Sequence, residues 1–175
     1  KHDVLLLKTE AMNTELEKLI DEAILLEMNV ADIYDLFHRT FSQDSEFWWK
    51  LVMEEKNHAA LLKTVKKMND VDVIIPPELL PASISELRKT NQMIRQYMEE
   101  MEARPDRVRA FQIAYELENS AGELHYDSFM QGDTSSIPGK MFKRLNGDDI
   151  DHARRIRQYM TQQGIGDLPS SDSGL

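Results

Sequence analysis

The chain reads as all-α: a four-helix bundle of two helical hairpins joined by one long crossover that carries an additional helix. Three observations predict this. Residues 13–42 and 45–69 hold a helical apolar period without any Pro or Gly. The junction between them, Gln43-Asp44-Ser45, is so short that it forces two helices to lie antiparallel. The connection from Asn69 to Pro105 contains a helical stretch of about 20 residues, about 30 Å at the α-helical rise, which is enough to traverse a bundle end to end.

In chain order, residues 1–12 are expected to form a lead-in, with Asn13 or Thr14 capping the first long helix. The helical bundle domain then spans 13–163, and the polar segment 164–175 reads as a flexible tail. Helix two opens with Phe47-Trp48-Trp49. Trp48 shares a stripe with Leu51, Glu55, His58, Leu62 and Val65 and is expected in the core, whereas Trp49 points elsewhere. Pro76-Pro77 and Pro81 break helix, and Ser83-x-x-Glu86 is a capping box for the crossover helix, which ends near Ala103. Arg104-Pro105-Asp106 starts a helix over about 106–131. Residues 132–139 read as a loop, and the last helix reaches Gln163.

The chemistry is carried by Glu55-x-x-His58. Residues three apart share a helical face, so a carboxylate and an imidazole can converge on one point, a pairing suited to a metal ion. Acids are about a fifth of the chain, so the motif alone is weak, and Asp35-x-x-His38 is read as coincidence. The chain, however, repeats it. Aligning His58-Ala59 with His152-Ala153 sets Trp48 against Phe142, Leu51 against Leu145, Glu54-Glu55 against Asp148-Asp149 and Leu62 against Ile156. A second pair of segments sets Ala23-x-x-Leu26-Glu27 against Ala114-x-x-Leu117-Glu118. The separations also agree: 31 residues from Glu27 to His58 and 34 from Glu118 to His152. Each half therefore reads as one Glu and then, about thirty residues on, an acid and a His three apart.

Both lone acids lie on apolar faces, Glu27 among Ile20, Ile24, Val30 and Tyr34, and Glu118 among Phe111, Ala114 and Ala121. A buried carboxylate must be neutralised, paired or metal-bound. Glu27, Glu55, His58, Glu118, Asp149 and His152 together offer six candidate metal ligands. Asp149 departs from the other acids. It is one methylene shorter than Glu and follows Asn146-Gly147, which reads as a helix break or start; were the last helix to begin there, Asp149 would serve the helix N-terminus instead. His38 and His125 are read as packed or supporting residues, and Glu54, Asp148 and Glu123 as solvated neighbours. The competing reading of the whole set is a metal-free bundle whose acids pair with Lys and Arg.

This six-position inventory resembles the ferritin-like superfamily, and within it the rubrerythrin-like di-iron carboxylate proteins, over roughly residues 13–163. Tyr34, two helical turns after Glu27, is similar to a rubrerythrin Tyr that bonds a ligand carboxylate, so the resemblance makes Tyr34 a catalytic candidate. It further implies a ferritin-like fold, two iron ions with manganese or zinc as alternatives, reduction of hydrogen peroxide or dioxygen, and a homodimer. A metal-binding or iron-handling bundle without turnover, and a metal-free interaction bundle, stand as the alternatives. The chain has no Cys, hence no disulfide, no thiolate metal site and no rubredoxin-type centre; electrons would come from an external donor.

The net charge of −10 and a pI near 5.0 argue against nucleic acid and anionic membranes as partners. The apolar run Val4–Leu7 is too short for a signal-peptide core or a membrane span, and a cytoplasmic location is expected.

Overall fold

The structure, a computed structural model, describes residues 2–69, 84–126 and 137–166. Among these the chain is all-helical: α1 (His2–Thr40), a single 3-10 turn (Ser42–Asp44), α2 (Ser45–Asn69), α3 (Ile84–Ala103), α4 (Arg107–Tyr126) and α5 (Ile137–Gln163). No described helix is long and apolar enough to cross a membrane.

Local chemistry explains most boundaries. Phe41 leaves the helical region (φ −111°, ψ 82°) and buries its ring, which stops α1 and swings the chain into α2. Asp106 caps α4, its Oδ1 accepting from the Arg109 N–H at 3.0 Å, with Pro105 just outside. The last helix ends on Gly164, whose φ of +61° suits a residue without Cβ. There the Ile165 N–H reaches back to the Met160 carbonyl at 2.9 Å, and the Ile165 side chain is buried.

Cross-helix pairs give the directions. Asp21–Lys66, Glu27–His58 and His38–Ser45 step oppositely along α1 and α2, making them antiparallel. Glu54–Arg155 and His58–Asp148 do the same for α2 and α5. Helix α3 lies along α1, tied by Arg88–Glu22 and by the buried Asn91, which accepts from Asn29 at 2.8 Å. Tyr97–Glu116 and Arg109–Glu100 then fold α4 back against α3. Helices α4 and α5 make the second main hairpin.

Two expectations are corrected. Helix α1 is already running at His2, so neither Asn13 nor Thr14 begins it; nothing between His2 and Thr40 is a helix breaker. Asn146-Gly147 neither breaks nor starts a helix, because α5 begins at Ile137 and also takes in Gly139. A helical Gly costs about 1 kcal/mol relative to Ala. Here that is outweighed by the buried face of α5, with Leu145, His152, Ile156 and Met160 all nearly inaccessible. Asp149 therefore occupies a helix interior rather than an N-terminus. The expected end of α4 at 131, and the loop and capping-box residues up to 83 and 136, lie outside the described residues.

The core is contiguous, centred on the fully buried Tyr34, Phe37, Trp48, Phe111, Ile113 and Leu145. At one end the buried Asp44 takes both guanidinium contacts from Arg107 at 2.7 Å and a hydrogen bond from the Tyr159 hydroxyl at 3.0 Å. This knot ties the α1–α2 junction to the start of α4 and the end of α5. Arg107→Met should cost about 3 kcal/mol in urea unfolding, because it strands a buried carboxylate, and Asp44→Leu/Arg107→Met should recover much of that loss. An Arg107→Met variant as stable as wild type would contradict this role.

Candidate metal centre

Midway along the bundle three carboxylates and two imidazoles meet in the apolar core. Helix α1 supplies Glu27, α2 supplies Glu55 and His58, α4 supplies Glu118 and α5 supplies His152. All five are 8% exposed or less. The three-residue spacing in α2 turns Glu55 and His58 to one side, and the antiparallel register of α2 and α5 brings His152 opposite. The two imidazole rings lie 5.4 Å apart and nearly parallel, at 14°.

Glu55 stands between them. Its Oε2 lies 3.2 Å from His58 Nδ1 and its Oε1 2.8 Å from His152 Nδ1. Glu27 Oε2 approaches His58 Nδ1 at 3.5 Å, and Glu118 Oε2 approaches His152 Nδ1 at 3.4 Å. Two donor groups result, Glu27–Glu55–His58 and Glu55–Glu118–His152, each with ligand atoms within 4.8 Å of one another, and Glu55 belongs to both. Tyr34, fully buried, donates to Glu118 Oε1 at 2.5 Å and so fixes that carboxylate.

The outward edges of the rings are also held. His58 Nε2 lies 3.4 Å from Asp148 of α5, and His152 Nε2 lies 3.2 Å from Glu54 of α2. Each half's first acid thus supports the other half's histidine, leaving Nδ1 to face the centre, as is usual for metal-ligating imidazoles. Glu54 is also paired with Arg155 at 2.5 Å, and Asp148 with Arg144 at 3.6 Å. These two acids were expected to be solvated neighbours; they are half-exposed but engaged. A cleft of about 150 Å³ reaches the rings from this side, lined by Glu54, His58, Arg144, Asp148, His152 and Arg155.

The remaining candidates fall elsewhere. The Asp149 and His125 side chains lie outside the described residues, as does that of Glu123. His38 shares a hydrogen bond with Ser45 at 2.9 Å and sits beside the exposed Trp49, away from the centre. Asp35 pairs with Arg39.

Without a metal, protons must balance this cluster. Burial alone would depress His58, but Glu27 and Glu55 overcome it and lift its pKa to about 11. His152 is raised likewise, burial being outweighed by Glu118, Glu54 and Glu55. Burial would raise Glu55; the two imidazoles instead hold it at about 2. Glu27 goes up to about 7, mainly through burial, and Glu118 is raised by burial and by repulsion from Glu55. Two imidazolium ions, with Glu27 and Glu118 both shifted toward their protonated forms, offset the charge of the buried acids.

The donor set fits a pair of divalent ions. Oxygen-rich carboxylates with one imidazole on each side suit iron or manganese, with zinc tolerated. Glu55 Oε1 and His152 Nδ1 are buried and lie 2.8 Å apart, yet neither makes an aligned hydrogen bond among the described residues. Such atoms are rare in native cores, and a cation held between them would account for both. No family model matches the chain, and no curated protein and no solved structure matches it either.

The proton-balanced state makes a pH prediction. Imidazolium His58 stabilises the fold fully below its ordinary 6.5 and loses that contribution as pH rises through about 11. Protonated Glu27 loses its advantage between its ordinary 4.5 and about 7, and Glu55 loses its own only as pH falls from 4.5 through about 2. In metal-free protein, the unfolding free energy by which wild type exceeds His58→Gln should therefore shrink from about pH 6 to about pH 9. A gap that is constant or widens would contradict the assignment.

Proposed function

We propose that the chain is a di-metal carboxylate protein of the ferritin-like, rubrerythrin-like kind, which reduces hydrogen peroxide or dioxygen with electrons from an external donor. The observation that carries this reading is Glu55, one buried carboxylate common to two His–carboxylate groups. The order of the helices supports the ferritin-like part, since α3 returns the chain along α1 and lets α4 run in the same direction as α2.

Glu27, Glu55 and His58 would hold one ion, and Glu55, Glu118 and His152 the other. Bound iron or manganese would supply the electron transfer and the polarisation of an O–O bond that no side chain provides. The chain's own residues do the rest. Asp148 and Glu54 keep the imidazole rings oriented. Tyr34 holds the Glu118 carboxylate and carries a proton on its hydroxyl beside the centre. The burial of all five ligand residues keeps bulk water from the carboxylates. The cleft beside His58 and His152 is large enough for peroxide or dioxygen.

The test is peroxide consumption coupled to oxidation of a small-molecule reductant by iron-loaded protein. Wild type should turn over, and Glu118→Ala should fall to the level of free iron in buffer. Two bound metals without turnover would leave a metal-binding bundle; equal rates for wild type and Glu118→Ala would overturn the catalytic reading.

A further inference from the structure

The aromatic side chains around the centre form a line that leads out of it. Tyr34, hydrogen-bonded to Glu118, lies 5.7 Å from Trp48 between ring centroids. Trp48 lies 4.4 Å from Phe111 and 5.2 Å from Phe47. Both of these touch Tyr159, Phe47 stacking on it at 4.1 Å and Phe111 lying nearly parallel at 5.6 Å. Tyr34, Trp48 and Phe111 are wholly buried, whereas Tyr159 is partly exposed where α5 meets the Asp44–Arg107 knot.

The polar atoms on this line are arranged unevenly. Each tyrosine hydroxyl already donates to a carboxylate: Tyr34 to Glu118 at 2.5 Å and Tyr159 to Asp44 at 3.0 Å. The indole Nε1 of Trp48, by contrast, is buried with no hydrogen-bond acceptor among the described residues. Packing alone would favour an apolar ring there, because a buried unsatisfied N–H destabilises a core by about 1–3 kcal/mol. A redox station gives the indole a use. A Trp whose N–H meets no acceptor is oxidised to a cation radical that stays protonated and is readily re-reduced, and among the described residues Trp48 meets none. A Tyr that is hydrogen-bonded to a carboxylate can lose its electron and proton together.

We propose that Tyr34, Trp48 and Tyr159 form an electron relay between the carboxylate–imidazole centre and the protein surface beside Asp44 and Arg107. Its purpose rests on the redox reading above, and it supplies a route inward in a chain that has no Cys to hold an electron-transfer centre of its own. With iron or manganese held by Glu27, Glu55, His58, Glu118 and His152 and oxidised by peroxide or dioxygen, Tyr34 would give up one electron, its phenolic proton passing to Glu118 Oε1. The Tyr34 radical takes an electron from Trp48 and recovers its proton from Glu118. The Trp48 cation radical takes an electron from Tyr159, whose proton moves to Asp44. A one-electron reductant at the surface restores Tyr159, and the proton returns from Asp44. Phe47 and Phe111 fill the space between Trp48 and Tyr159 and are not themselves oxidised.

The relay can be tested without turnover. The chain has no Cys, so Gln162→Cys, one helical turn from Tyr159 at an exposed position, gives a single attachment point for a ruthenium polypyridine photosensitiser. Flash oxidation of the labelled full chain, with redox-inert zinc added, is followed by time-resolved absorbance and electron paramagnetic resonance. The expected result is a radical at Tyr34, recognised as the tyrosyl signal that Tyr34→Phe removes while leaving that of Tyr159. The appearance of the Tyr34 radical should slow at least ~10-fold in Trp48→Phe and in Tyr159→Phe, changes that keep an aromatic ring in place. Circular dichroism of each variant separates lost transfer from lost folding. A Tyr34 radical forming equally fast in Trp48→Phe, or a paramagnetic resonance spectrum unchanged by Tyr34→Phe, would overturn the relay. Neither outcome depends on whether the iron-loaded protein reduces peroxide, so the relay and the proposed function can fail separately.

Discussion

A carboxylate with both oxygens committed, buried where water cannot solvate it, is the constraint on which the middle of this bundle depends. Glu55 presents one oxygen to His58 and the other to His152, and it is 2% exposed. In an apolar interior such a group must be compensated by charge. The two imidazoles in direct contact do so, while two outer carboxylates and two further acids hold those rings in place. The helices are placed to make this possible. Only an antiparallel α2–α5 pair brings His152 to Glu55 and at the same time His58 to Asp148 and Glu54 to Arg155.

The far end of the bundle repeats the theme in a simpler form. Asp44 is as thoroughly buried as Glu55, but it has one guanidinium fork and one phenol as partners. That set is complete with no further ion, and the same residue anchors three segments of the chain. The centre is different in kind, because its buried acids outnumber its bases and two of its buried ligand atoms lack aligned partners among the described residues. Between the two ends lies a wall of aromatic rings, with Trp48 touching Tyr34 on one side and Phe47 and Phe111 on the other.

Much of this was legible in the sequence, because a duplicated order of acids and histidines survives without knowledge of the fold. Glu27, Glu55, His58, Glu118 and His152 are brought together as that order suggests, and Trp48 is in the core while Trp49 is not. Glu54 and Asp148 were misread for a physical reason. Glu54 sits one residue before Glu55 and Asp148 four residues before His152, and each looks solvated when its helix is considered alone. The neighbouring helix presents a histidine there. The signal was present in the repeat, which places an acid at both positions. Asn146-Gly147 was misjudged because turn chemistry is a local preference, and the buried face of α5 overrides it. The start of α1 was set too late because good capping residues were taken as boundaries where no breaker stands behind them.

The most direct measurement is metal content per chain, by elemental analysis of protein produced with iron and purified without chelator, beside Glu55→Ala. Since Glu55 belongs to both donor groups, the account requires about two iron or manganese ions in wild type and the loss of both in the variant. Two ions retained by Glu55→Ala, or no metal taken up by wild type even after addition of Fe(II), would contradict it.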